Sequence, residues 1–286
     1  MNATCLACYF GKQVETALSL GDEATATAFA RELMARLLAA SEEAASPYFG
    51  PITSELFEKY YGITGDRYTE EKRLSNAFVL ERMETIRSRV QTQQDPVYAG
   101  LQFSILGNYL DFSALRGQIS FAKLDEMLDL GLQMKLDREC YEKLCRELEK
   151  GRKLLYLTDN AGEIGFDRIF AEEIQKKYPH LEITFCVRGG AALNDATRED
   201  AAIVGIPFPI IDSGKPYPGT ILSELGEAAK GAMEEADVIL SKGMGNVETL
   251  YGCGYNIYYA FLVKCAHFVR LFDKPLMTPM LVSERK

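Results

Sequence analysis

The chain has 286 residues, a formal net charge of −9, 47% hydrophobic residues and 26% charged residues, so it is long enough for two lobes and too acidic for an extended nucleic-acid surface. No run reaches the roughly 18 apolar residues of a membrane span. The start, MNATCLACYFGKQVE, lacks the basic and long apolar regions of a signal peptide, and a cytoplasmic location is expected.

Residues 1–150 read as a helical N-terminal lobe. In GDEATATAFARELMARLLAASEEA, Asp22 is the expected N-cap, and Phe29, Leu33 and Leu37 repeat at four-residue spacing with Met34 and Leu38 beside them. YTEEKRLSNAFVLERMETIRSRVQ, DPVYAGLQFSILGNYLDF and DRECYEKLCRELEKGRK supply further helices. Near Gly151 the pattern changes. KLLYLTD, LEITFCVR, PFPIID, DVILSKG and NIYYAFLV are short apolar strands, and helical segments alternate with them, among them NDATREDAAIVG and GTILSELGEAAKGAMEEAD. This alternation predicts a three-layer α/β/α, Rossmann-like sandwich over 151–286, with a mostly parallel sheet. Ligands of such sheets bind at the carboxyl ends of the strands.

Three strand ends carry polar residues. The first ends in Thr158-Asp159-Asn160, with Gly162 and Glu163 next. The second ends in Arg188-Gly189-Gly190, with Asn194-Asp195 beyond it. The fourth ends in Lys242-Gly243-Met244-Gly245-Asn246. Asp159, Asn160 and Asp195 are hard oxygen donors that suit Mg²⁺ or Mn²⁺. Glu163 is expected to bind the ion through water or to take a proton from an attacking water. The competing reading makes Asp159 or Asn160 a plain helix cap. Gly243, Gly245 and Asn246 open a helix whose N–H groups would form an anion nest, with Lys242 adding positive charge; Arg188 is the neighbouring cation. The alternative is a tight turn that contains a lysine. In the helical half, Asn108 and Asp111 sit three apart in an apolar segment, and Lys72, Arg73 and Asn76 share what reads as an exposed turn. These are candidate substrate contacts if the lobe closes over the strand ends.

Cys5-x-x-Cys8 lacks the second pair that a structural zinc site needs. Seven cysteines, an odd number, fit reduced thiols better than a disulfide framework. His180 and His267 receive no catalytic role.

The order TDNAGE, RGGAALNDAT, VILSKGMGN and a strand ending in Lys264-Cys265, together with the N-terminal C-x-x-C, EKRLSN and GNYLDF, resembles the metal-dependent damage-control phosphatase family, in its short stand-alone microbial branch. The resemblance covers nearly the whole chain. It implies a helical lobe on an α/β/α sandwich, and a divalent ion (magnesium, manganese, cobalt or nickel) on Asp159, Asn160 and Asp195. It puts the family's glycine-flanked lysine at Lys242. It also implies hydrolysis of phosphomonoesters such as sugar phosphates or damaged phospho-metabolites. One departure is Arg67 in GDRY, where proline is expected before tyrosine. The partner is then a small phosphorylated metabolite. Asp159 can be ligand, base or nucleophile. Three other readings stand beside this one: a SAM-dependent methyltransferase on a Rossmann-like sheet, a non-enzymatic metal- or thiol-binding module built on Cys5 and Cys8, and a helical lobe that is structural and has no role in the site.

Overall fold

The computed structural model describes residues 1–110, 126 and 128–284. Helix α1 (Ala3–Leu20) starts on Asn2, whose side chain accepts the Cys5 N–H. Helix α2 (Glu23–Ala39) starts on Asp22, which accepts the Thr25 N–H at 2.7 Å. Helix α3 (Gly50–Tyr61) ends at Gly62 in the left-handed conformation. These three helices close on a small core that includes Phe29, Leu33, Leu56 and Phe57. Met34 and Leu38, expected beside the buried stripe, face outward instead, and Leu38 is 82% exposed. The buried residues of α2 are confined to Ala26, Phe29 and Leu33, so its apolar stripe is narrower than the pattern suggested.

Helices α4 (Thr69–Gln91), α5 (Pro96–Gly107) and α6 (Arg138–Lys150) follow. The residues of α5 are buried from Val97 to Gly107, on all sides of the helix. The strands and helices then alternate: β1 (Lys153–Leu157), α7 (Glu163–Lys177), β2 (Glu182–Val187), α8 (Arg198–Ile203), β3 (Ile210–Asp212), α9 (Glu227–Glu235), β4 (Val238–Lys242), α10 (Gly243–Leu250), β5 (Ile257–Leu262), α11 (Ala266–Phe272) and β6 (Pro279–Ser283). The strand order is β3-β2-β1-β4-β5-β6. The five expected strands pair in parallel, and β6, which the sequence reading missed, closes the edge antiparallel to β5.

Alternate residues of each strand serve opposite layers. Leu154 and Tyr156 belong to the core shared with α4, α5, α6 and α7, whereas Leu155 and Leu157 belong to the core shared with α9, α10 and α11. The compositional change near Gly151 marks where strands begin, and the larger core runs across it: Phe103 and Leu144 pack in the same cluster as Tyr156 and Phe185. The segment expected to be one helix from Gly219 holds a 3-10 turn at Leu222–Glu224 and is α-helical only from Glu227. Its first part is strapped to the loop after β3, where the Gly226 N–H donates to the Ser213 carbonyl at 3.0 Å. Among the described residues, no helix is long and apolar enough to cross a membrane.

Candidate active site

The strand order reverses between β1 and β4, because the chain leaves β1 toward β2 on one side and returns on the other. That switch point is where an open α/β sheet has a crevice. The end of β1 does not cap α7: the helix begins after Gly162, which makes no side-chain cap bond and holds φ +76. Asn160 forms an isolated bridge with Asp195. The loop after β2 folds back to make it, with the Ala196 N–H donating to the Asp159 carbonyl at 2.7 Å and the Ala161 N–H donating to the Asn194 carbonyl at 2.9 Å. Asp159, Asn160 and Asp195 therefore come from two loops to one wall of a cavity of about 660 Å³.

Behind that wall lies a buried polar network, in which Asp167 Oδ2 has no hydrogen-bond partner among the described residues. Asn108 Nδ2 donates to Asp159 Oδ2 and Glu163 Oε2, both at 2.9 Å. Asn160 Nδ2 donates to the same two oxygens, both at 2.7 Å. Lys242 Nζ donates to Glu163 Oε1 at 2.7 Å, to Asp167 Oδ1 at 2.9 Å and to the Ser104 carbonyl at 2.8 Å. Asp167 Oδ1 also accepts the Tyr156 and Ser104 hydroxyls, at 2.8 and 2.7 Å. Glu163, Asp167 and Lys242 are wholly buried. Burial pulls the Lys242 ammonium down, but Asp167 and Glu163 outweigh it and hold it above the ordinary lysine value. Burial pushes the Asp167 carboxyl up to about 6, with Lys242 pulling the other way.

These contacts correct several expectations. Lys242 spends its three protons inside the protein, so it is a buried counter-ion and not a phosphate contact. Glu163 lies behind Asn160 and Asn108 and orients both, without facing the cavity. Asn246 ties strand ends together: its amide donates to the Thr158 and Lys242 carbonyls and its oxygen accepts the Thr220 hydroxyl. Asn76 is buried, as is Lys72, although their turn read as exposed. The Asn76 oxygen accepts the Gly162 N–H at 2.7 Å and its amide donates to Asp200 Oδ1 at 2.8 Å, so it braces the turn that follows β1. Lys72 pairs with Asp200 and Asp66. Arg188 donates from Nε to Asp195 Oδ2 at 2.5 Å, and its Nη2 stands 3.9 Å from Asp159 Oδ1 without a hydrogen bond. Asp111 lies outside the described residues.

Of the expected nest, Gly245 lines the cavity together with Met244, at the start of α10. Gly243 has a different task. It holds φ +73, and a Cβ there would overlap the Asp159 carboxylate. The cation that reaches the cavity from the sheet side is Lys264, after β5, which also donates to the Asn108 carbonyl. No local pattern marks Lys264 as a cavity residue; for Asp167 the signal in the sequence is its position one turn after Glu163 in an apolar helix face.

Asp159, Asn160 and Asp195 are chemically suited to a hard divalent cation: each offers oxygen, and glycine at 243 keeps the space beside Asp159 clear. Among the described residues, no three His, Cys, Asp or Glu side chains could together hold a metal ion, so the candidate set depends on the Asn160 amide. Cys5 and Cys8 are free thiols on the first turns of α1.

Residues 1–278 match the damage-control phosphatase ARMT1-like domain. A protein of Methanocaldococcus jannaschii, MJ0202, is 35% identical over 234 residues, covering 78% of this chain and 75% of that protein. A damage-control phosphatase of Archaeoglobus fulgidus is 32% identical over 209 residues, covering 71% of each. The crystal structure of the DUF89 family protein PH1575 of Pyrococcus horikoshii superposes with a TM-score of 0.85 at 25% identity, covering 100% of this chain and 99% of that one. Neither the methyltransferase nor the thiol-module reading finds support in these likenesses. The chain belongs to the family of damage-control phosphatase ARMT1-like domains.

Proposed function

We propose that the protein is a metal-dependent phosphatase that hydrolyses a phosphomonoester of a small, damaged or misplaced phosphorylated metabolite. One observation carries the reading most directly: Asp159, Asn160 and Asp195 converge at the switch point of the sheet and face a cavity of about 660 Å³. Relatives named damage-control phosphatases support the same reaction class. Asp159, Asn160 and Asp195 would hold a magnesium, manganese, cobalt or nickel ion. Such an ion, when bound, supplies a water of lowered pKa and charge neutralisation for the transferring group.

The chain's own residues do the rest. Asn108 and Asn160 fix Asp159 Oδ2, which leaves this carboxylate in one orientation for aligning or deprotonating the attacking water. Glu163, held by Lys242, keeps both amides in place. Lys264, Met244 and Gly245 line the cavity, and the Lys264 ammonium with the N–H groups of the other two would contact the phosphoryl oxygens, in the role first expected of Lys242.

A phosphatase screen over sugar phosphates and phospho-metabolites, with each of the four metals and after EDTA, tests the reading. Release of phosphate that EDTA stops and added metal restores is expected. No release with any metal overturns it.

A further inference from the structure

The cavity has a second wall, which the chemistry above does not use. It is built by α1, α3 and the connection from α3 into α4, and it carries Lys12, Arg67, Tyr9, Thr16 and Ser54. The Arg67 guanidinium lies over the Phe57 ring, 4.2 Å from its centroid, and 5.9 Å from that of Tyr68. Among the described residues, Arg67 makes no ion pair and no hydrogen bond. Lys12 acts on Glu248 through space and likewise makes no direct ion pair among them. The contrast with the sheet wall is sharp, because Arg188 and Lys242 are each committed to buried carboxylates.

A guanidinium without a carboxylate partner, stacked on one aromatic ring and bordering a cavity, is prepared for a planar anion. Arginine presents paired donors that fit a carboxylate or phosphate. Stacking fixes its orientation before the ligand arrives, which lowers the ordering cost of binding. The cavity also has room for a ligand much larger than a phosphate group. Besides Asp159 and Asp195, three acids line it. Glu15 is exposed and Glu71 half-buried. Glu248 accepts a hydrogen bond from the Ser46 hydroxyl, and burial favours its neutral form. These acids with Thr16 and Ser54 suit the hydroxyls of a polyol.

We propose that the substrate carries a second anionic group, at the end remote from the scissile phosphomonoester, and that Arg67, assisted by Lys12, binds it. The inference rests on the phosphatase reading and narrows its substrate to phosphorylated polyols with an acidic far end. Carboxylate and phosphate share the chemistry, and the assay separates them.

The test compares kcat/KM of the manganese-supplemented protein on three substrates of matched length. These are a hexitol 6-phosphate, the corresponding aldonic acid 6-phosphate and a hexitol 1,6-bisphosphate. The wild type is expected to favour one or both doubly anionic substrates by at least about tenfold, the size of one charge-assisted hydrogen bond. Arg67→Met should bring the ratio near one, mainly by raising KM for the favoured substrate, and Arg67→Lys should restore part of it. A wild-type ratio near one, with the hexitol phosphate still hydrolysed, overturns the second-anion proposal and leaves the phosphatase standing. An unchanged ratio in both variants assigns the preference elsewhere and overturns the role of Arg67. Hydrolysis of none of the three, with any metal, overturns the doubly anionic polyol as substrate, and the broader phosphatase screen decides the phosphatase reading separately. The wild-type ratio does not depend on whether a variant folds, and Arg67→Gln gives a second removal of the charge that keeps a polar side chain.

Discussion

The two walls of the cavity handle charge in opposite ways. On the sheet wall, Lys242 is paired with Glu163 and Asp167, and Arg188 with Asp195, all in the interior. On the lobe wall, Arg67 rests on aromatic rings with no carboxylate in contact among the described residues. Buried charges must be paired to be tolerable, so the sheet wall is locked before any ligand arrives. Half-exposed cations can wait unpaired, because water solvates them until a substrate displaces it. In the proposed reading, fixed chemistry and adjustable recognition thus occupy opposite sides of one cavity.

The largest expected effect is on the locked side. Asp159→Asn should lower kcat by about 10³-fold or more while circular dichroism stays native, because only the charge of the group beside the transferring phosphoryl changes. Turnover within tenfold of wild type would mean that Asp159 is only a scaffold. Lys242→Met comes next. It leaves Glu163 and Asp167 without their cation at full burial, and breaking such a pair costs about 3–5 kcal/mol. Urea denaturation measures this, and a loss below about 1 kcal/mol would show that the network carries little stability. Gly243→Ala should reduce activity by about 10²-fold, the scale of a small misplacement of a catalytic group, since the new methyl must displace the Asp159 carboxylate. Activity equal to wild type would show that Asp159 can move without consequence.

The smallest effect concerns pH. The folded-state value of Asp167, raised from 3.8 to about 6, makes the folded protein bind that proton more tightly than the unfolded chain. Its contribution is then fully present below 3.8 and is lost as pH rises through about 6. Asp167→Asn has no such proton. Wild-type thermal stability should therefore fall relative to the variant across that window, and a difference independent of pH would refute the assignment.

Parts of this arrangement were legible in the sequence and parts were not. Asp159-Asn160 could be picked out because an apolar strand ends on two oxygen-bearing side chains next to a glycine. The parallel sheet could be read from strand–helix alternation, and Asp22 from its place before a helix. The direction of Lys242 could not be read. It closes a strand, and whether its long side chain runs toward the phosphate loops or under α7 depends on where Glu163 and Asp167 sit after folding. Asn76 looked solvated because its neighbours Glu70, Glu71, Lys72 and Arg73 are charged. Its burial depends on Asp200 and Gly162, 124 and 86 residues away. Strand β6 was missed because Pro279–Ser283 is a five-residue edge strand with too few positions to establish a period. The meeting of Arg67 with the strand ends is wholly tertiary, and no local pattern encodes it.

The separate core of α1, α2 and α3 has a further meaning for descent. Phe29, Leu33, Leu56 and Phe57 support these helices without drawing on the clusters around the sheet. Substitutions confined to that small cluster add nearly independently to those in the larger ones. A lineage can therefore exchange residues on α1 or in the 62–68 connection, and so adopt a new metabolite, while inheriting Asp159, Asn160 and Asp195 undisturbed.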